Sequence, residues 1–126
     1  MMRTLSTNDI LHIHAFLAKE FGGDADLRDE TLLDGIVNDT MEEGEGDLFE
    51  KAAALMTEIA NRAPFAERNA RTAFFSTDVF LRMNGFYLRC DNVLTHRFFS
   101  ALLEEGRFTR ENLLPWIETS VEKINP

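Results

Sequence analysis

The stretch RAPFAERNARTA, residues 62–73, decides how the rest of the chain is interpreted. It lies between two apolar segments with helical periodicity, and it concentrates a proline, an acid, an amide and guanidinium groups into a few positions. A plain connection between helices needs no such concentration. Because an apolar helix resumes from Thr72, the polar groups stand where a helix begins, and the backbone N–H groups there attract anions. The stretch therefore predicts a phosphate-handling loop that the rest of the chain supports.

The composition favours one globular domain over residues 1–126 and limits its partners. Of the 126 residues 44% are hydrophobic, which is enough for a core. The formal net charge of -9 argues against broad nucleic-acid binding and against docking on anionic membranes. Arg62, Arg68 and Arg71 still form one local basic site. Cys90 is the single cysteine, so neither an internal disulfide nor a cysteine metal cluster is expected.

Neither a secretory leader nor a membrane span is expected from the sequence. The N-terminal residues MMRTLSTNDIL lack the apolar run of a signal peptide. No apolar stretch reaches the length that crosses a bilayer. We therefore expect a cytoplasmic protein.

Apolar residues recur at helical spacing in about six segments, which predicts a single all-α domain around a central helix. The fourth segment, from about Asn69 to Asn84, is apolar over much of its circumference and is therefore the predicted centre, with Gly85 as its stop. Short polar side chains and acids mark the starts of the other five helices. These start residues are Ser6, Asp29, Asp47, Asp91 and Thr109.

Several segments carry narrower expectations. Residues 38–47 read NDTMEEGEGD and predict a pliable, solvated stretch, either a surface loop or a mobile flap over a site. Residues 86–88 predict a short extended segment. Pro115 should kink the last helix or restart it near Leu114, with Val121 and Ile124 on its packing face.

The three histidines are interpreted as structural. His12 and His14 are two positions apart, so they face different sides of a helix and do not share a metal. His96 stands at helical spacing beside phenylalanines, which favours a position in the core or at its rim.

The side chains of the 62–73 stretch suit a nucleotide-phosphate site. Glu67 is a hard oxygen ligand of the kind that Mg²⁺ takes together with phosphate oxygens. Arg71 can grip a phosphate in a bidentate fork. Asn69 could orient a phosphate or hold the loop in shape, and the N–H groups of residues 68–71 would form an anion cradle. The alternative is a polar helix cap with incidental surface charges.

Residues 63–72, APFAERNART, resemble the Fic/Doc signature H-P-F-x-[D/E]-x-N-[K/G]-R-T. The surroundings agree, because the signature lies between two helices and LRMNG, residues 81–85, closes the following helix as is common in that family. The total length and the Gly-containing stretch before the preceding helix are similar to the short death-on-curing (Doc) toxins. The resemblance extends from about Leu5 to Ile124.

This resemblance implies a fold of about six helices and the transfer of a phosphate-containing group from a nucleoside triphosphate such as ATP to a protein hydroxyl. Fic proteins usually move AMP, whereas the Doc branch is a kinase that modifies a translation elongation factor and is neutralised by a small antitoxin protein. By the same resemblance Glu67 binds Mg²⁺, Asn69 is the phosphate-loop amide, Arg71 grips phosphate, Phe65 is a buried anchor and residues 39–46 are the target-binding flap. The implied phosphate-binding set is Arg68, Asn69, Ala70 and Arg71.

Two positions depart from the signature. Ala63 stands where the family has the histidine that takes the proton from the attacking hydroxyl, and losing such a base typically costs about 10²–10⁴ in rate. Ala70 stands where Doc-type members carry lysine, while Arg68 replaces a small residue and can restore some positive charge. Either alanines were introduced into a toxin, or the chain is a naturally inactive member that serves as a binding or regulatory module. Any contact with DNA would come through an antitoxin.

Overall fold

Most helices begin at a short polar side chain, and three of them end at or next to a glycine. The computed structural model describes residues 2–23, 26–42 and 46–124. Its elements are α1 (Thr7–Phe21), α2 (Glu30–Met41), α3 (Leu48–Arg62), α4 (Asn69–Met83), β1 (Phe86–Leu88), α5 (Asn92–Glu104), α6 (Arg110–Ser120) and β2 (Val121–Lys123). The prediction of a single all-α domain of about six helices is confirmed.

Five of the six helices start with a side chain that accepts a hydrogen bond from the first turn. The capping residues are those predicted: Ser6, Asp29, Asp47, Asp91 and Thr109. In α1 and α3 the third helical residue also returns a bond to the cap, which satisfies a second backbone donor. The local sequence therefore sets most helix starts without help from distant contacts.

The core forms mainly between α3 and α4, which share the centre of the domain. α3 packs against α2, α4 and α6, and α4 packs in addition against α1 and β1. Every residue from position 51 to position 57 of α3 is buried, and the alanines at 52–54 allow the neighbouring helices to approach closely. Lys51 is also enclosed, and its Nζ donates to the carbonyl of Glu42. The pair α3–α4 therefore holds in place the loop that connects these two helices.

The predicted loop at residues 38–47 is helical in its first part. α2 continues through Met41, because Thr40 and Met41 are buried and the Thr40 hydroxyl donates to the carbonyl of Ile36 at 2.7 Å. The expectation of a loop from residue 38 is therefore wrong for residues 38–41. Of the predicted flap at 39–46, residues 43–45 lie outside the described part of the chain.

The C-terminal segment also differs from the prediction. Pro115 does not restart the helix but lies in the middle of α6, where it is exposed and removes one backbone donor. Val121 is in β2, not in a helix, and Ile124 is 44% exposed after it. β2 pairs antiparallel with β1, and the Tyr87 hydroxyl donates to Glu122 at 2.9 Å across the two strands. The predicted extended segment at 86–88 is confirmed as β1.

Only two residues of the fifth helix, Phe99 and Leu102, are buried, fewer than its apolar residues would suggest. Phe99 packs edge-on against Phe108 and Trp116 with ring centroids 5.2 Å apart, which attaches α5 to α6. His96 is exposed, so its predicted place in the core or at its rim is wrong, and Val93 is 60% exposed. Among the residues described, no helix combines the length and the apolar character needed to cross a bilayer.

Candidate functional site

The loop between α3 and α4 starts with a left-handed turn. α3 ends at Ala63, whose backbone has φ 50° and ψ 65° and whose N–H donates to the carbonyl of Ile59 at 3.1 Å. Pro64 follows, and a proline disfavours helical geometry in the residue before it. The chain then turns inward, and Phe65 is only 1% exposed. The predicted buried anchor is therefore in place.

Asn69 closes this loop with its side chain. Its Oδ1 accepts from the backbone N–H of Phe65 at 3.0 Å, and its Nδ2 donates to the carbonyl of Phe65 at 3.0 Å. Of the two roles that the sequence left open for Asn69, the structure shows the shaping of the loop. Because both polar atoms of the amide are engaged in this way, a phosphate at this position would meet the backbone N–H of Asn69.

A short extended segment, residues 26–29, borders the loop on one side. The N–H groups of Arg28 and Asp29 donate to the carbonyl of Pro64 at 2.8 and 3.1 Å, and the N–H of Ala66 donates to the carbonyl of Asp26 at 3.1 Å. The sequence analysis named only Asp29 in this segment, as a helix start. All three bonds join backbone groups, so no side-chain pattern could have revealed them.

The second half of α1 borders the loop on another side. His14 is 1% exposed, its ring lies 3.8 Å from that of Phe65 in a stacked arrangement, and its Nδ1 is hydrogen-bonded to the Thr72 hydroxyl at 2.7 Å. Farther along α1, the Arg71 guanidinium lies over the ring of Phe21, 4.6 Å from its centroid. The sequence analysis interpreted His14 as a structural histidine and did not predict this contact. The only signal for it in the sequence was a histidine among apolar residues of a helix.

Arg68 connects the end of α1 to the beginning of α4. Its Nε donates to the carbonyl of Gly22 at 2.5 Å, and a terminal nitrogen donates to the carbonyl of Phe21 at 2.7 Å. Cations are favoured at the carbonyl end of a helix. Part of the Arg68 guanidinium is therefore committed to α1, and the side chain acts first as a tie between two helices.

The N-terminus of α4 differs from the other helix starts. Arg68 occupies the cap position with a left-handed backbone of φ 65°, and no side chain among the described residues caps the helix there. The first-turn N–H groups at residues 69–71 point outward from the start of the helix, and the Arg68 side chain does not cap them. Arg71 is exposed in the same turn. This combination of aligned N–H groups and a guanidinium is suited to binding an anion.

Glu67 lies at the surface beside Arg68 and Gly23. A Cβ built on Gly23, which has φ 106°, would clash with the Glu67 carboxylate and would lie 2.8 Å from the Arg68 Nε. Position 23 therefore needs glycine both for its backbone and for the close approach of the loop. The described residues contain no group of three or more His, Cys, Asp or Glu side chains suited to hold a metal. A Mg²⁺ ion bound by one carboxylate together with phosphate oxygens needs no such group.

Arg62 does not join the basic site that the sequence predicted. Its guanidinium lies 3.5 Å from the Asp39 carboxylate and 3.8 Å from that of Glu58, toward α2 and α3. A concavity of about 320 Å³ lies on that side, between α2, α3 and α6, and residues 63–71 do not line it. The local positive charge near the start of α4 therefore comes from Arg68 and Arg71.

One comparison with known proteins bears on this site. The family model described as the Fic/DOC family matches residues 4–81, which is more than half of the chain and includes the loop and nearly all of α4. No curated protein matches the chain at a significant level.

The left-handed backbone at Ala63 leads to a prediction about stability. A residue with a Cβ in this conformation costs about 1–2 kcal/mol relative to its ordinary state, and glycine avoids that cost. We expect Ala63→Gly to raise the free energy of unfolding by about 1 kcal/mol, measured by urea denaturation. Ala66→Gly is the control in the same loop, because Ala66 has no positive φ. It should lower the stability by about 0.4–1 kcal/mol, and equal effects of the two changes would contradict the argument.

Proposed function

The chain belongs to the Fic/DOC family, and we propose that its 63–68 loop and the first turn of α4 bind a nucleoside triphosphate for transfer of a phosphate-containing group to a protein hydroxyl. One observation carries the proposal: α4 starts without a side-chain cap among the described residues, with the Arg71 guanidinium in its first turn. A capping carboxylate or hydroxyl would occupy the position that an anion needs. ATP is the expected donor, and another nucleoside triphosphate is the alternative.

Each residue of the loop has a distinct part in this proposal. Arg71 grips a phosphate with two guanidinium N–H groups, and its stacking on Phe21 holds it near the helix start. Asn69 keeps the loop in the shape that presents the backbone N–H groups of residues 69–71. Glu67 supplies one carboxylate oxygen for Mg²⁺, which would neutralise charge on the phosphates. Arg68 adds positive charge while it anchors the loop to α1.

The transfer step requires a proton acceptor that Ala63 does not provide. The hydroxyl oxygen of the acceptor forms a bond to phosphorus as the bond to the leaving group breaks, which releases ADP in phosphate transfer or pyrophosphate in AMP transfer, and the hydroxyl proton must go to a base. Alanine has no titratable group, and Ala70 removes a further phosphate contact. We therefore expect the chain as written to bind nucleotide but to transfer very slowly.

We place this activity in a toxin of the death-on-curing type, acting in the cytoplasm on a translation factor and neutralised by a small antitoxin protein. The order of the signature residues supports that placement. A second candidate is a Fic-fold binding or regulatory module without chemistry. The absence of a titratable side chain at position 63 favours this second candidate. A variant with a base at that position therefore distinguishes the two candidates.

The nucleotide site can be tested by comparing two arginines of the same helix. Calorimetry with ATP and Mg²⁺ should show binding to the unchanged chain. Arg71→Ala should weaken it roughly 10–100-fold, because a charge-assisted hydrogen bond contributes about 1.5–3 kcal/mol. Arg82→Ala is the control at the other end of α4, where the guanidinium lies 5.5 Å from the ring centroid of Tyr87. Equal losses in the two variants would contradict a site at the start of α4.

Two exposed phenylalanines of α1 test whether Arg71 is held in position. Phe21 is 52% exposed and lies under Arg71, whereas Phe16 is 57% exposed on the same helix. A cation–π contact at an exposed site contributes about 0.5–1 kcal/mol, so Phe21→Ala should weaken binding of ATP with Mg²⁺ roughly 2–5-fold. Phe16→Ala should leave the dissociation constant unchanged. If both variants bind like the unchanged chain, Phe21 does not contribute to the site.

Restoring the base tests the transfer. The left-handed region at position 63 is one in which histidine is enriched, so Ala63→His fits the existing backbone. We expect phosphate or AMP transfer from radiolabelled ATP to a translation factor to rise by about 10²–10⁴. Ala66→His places the same side chain at an exposed position of the loop and should give no such gain. A silent Ala63→His variant that still binds nucleotide would favour the binding module.

A further inference from the structure

His14 contacts both parts of the candidate site, although it is on a different helix. Its ring stacks on Phe65 at 3.8 Å with an interplanar angle of 12°, so the contact extends over the ring faces. Its Nδ1 is hydrogen-bonded to the hydroxyl of Thr72, which is 58 residues away in the chain. Phe65 belongs to the loop, and Thr72 belongs to the first turn of α4. One imidazole therefore joins the two segments from which the site is built.

The contact is enclosed and polar at the same time. His14 is 1% exposed and Thr72 is 0% exposed. A buried polar group is costly unless it is hydrogen-bonded, so each of these two side chains restricts the position of the other. A leucine in place of His14 could fill the space but could not fix the rotation of α4 about its axis through Thr72.

The segments that His14 joins are fixed to each other at other points as well. Asn69 holds the backbone of Phe65, and the N–H of Thr72 donates to the carbonyl of Arg68 at 2.9 Å. A shift of the Phe65 ring or of the Thr72 hydroxyl would therefore be passed to the backbone N–H groups of residues 69–71. These are the groups that the proposed function assigns to phosphate binding.

We infer that His14 is a positioning residue of the nucleotide site, one that sets the loop and the first turn of α4 in the relative orientation that phosphate binding requires. This inference rests on the proposed function. By this inference α1 contributes to nucleotide binding as well as to the packing of the core. His14 touches neither the nucleotide nor the reacting atoms in this assignment, so its effect passes through Phe65 and Thr72.

Two substitutions separate the stacking from the hydrogen bond. His14→Phe keeps an aromatic ring against Phe65 and loses the bond to Thr72, whereas Thr72→Val removes the hydroxyl at nearly constant volume. Each should raise the dissociation constant for ATP with Mg²⁺ about 5–10-fold, measured by calorimetry well below the unfolding temperature. Because both variants remove the same bond, the double variant should bind about as weakly as either single one. His14→Asn keeps a polar atom near the Nδ1 position and should bind more tightly than His14→Phe.

Leu17→Ala is the control for a merely structural role. Leu17 is 0% exposed and lies on α1 one turn beyond His14. Its truncation should lower the unfolding temperature at least as much as His14→Phe, yet leave the dissociation constant of the folded protein unchanged. In ¹⁵N–¹H NMR spectra without nucleotide, His14→Phe should move the amide signals of residues 65–71, and Leu17→Ala should leave them in place.

The outcomes are distinguishable. If the unchanged chain binds no ATP in the presence of Mg²⁺, the proposed nucleotide site is wrong and the inference falls with it. If the unchanged chain binds ATP and His14→Phe and Thr72→Val bind it equally well, His14 is structural only and the proposed function stands. The inference is likewise overturned if Leu17→Ala weakens binding as much as His14→Phe does.

Discussion

The burial of Phe65 is the constraint on which the candidate site depends. The ring lies among the core residues and stacks on His14, while both polar groups of its backbone are bound by the side chain of one residue, Asn69. A loop that turns its chain inward would otherwise bury an N–H and a carbonyl without partners, which is costly. The apolar anchor and the amide clamp therefore stabilise each other. Together they fix where α4 begins.

The start of α4 combines two features that lower stability on their own. Arg68 adopts a left-handed backbone, and the helix has no side-chain cap among the described residues. The two hydrogen bonds from the Arg68 guanidinium to the carbonyl end of α1 offset part of this cost. A polypeptide selected for stability alone would place Asp or Ser at this cap, as the other five helices do with Ser, Asp or Thr. The exception falls at the position where the proposed anion would bind.

Much of the fold was predictable from the sequence because its signals are local. Ser6 and Asp47 cap helices through residues three positions away, and Gly85 ends α4 with φ 90° next to Asn84. What could not be predicted rests on distant contacts. The bond between His14 and Thr72, the pairing of β2 with β1 and the extra turn of α2 up to Met41 depend on which surfaces meet after folding. No periodicity within one segment encodes these contacts.

The candidate site, too, was predictable from the sequence only in part. The residue types of the 62–73 stretch indicated where a phosphate could bind, but they did not indicate which side chains are free to bind it. Arg62 is paired with acids of α2 and α3, and Arg68 donates to α1, whereas Arg71 lies exposed on an aromatic ring. A guanidinium that lies over a ring face can direct its N–H groups to a phosphate without leaving the ring, whereas Arg68 would have to give up two hydrogen bonds. Arg71 is therefore the arginine best able to bind a phosphate, and its contact with Phe21 keeps it near the N–H groups at the start of α4.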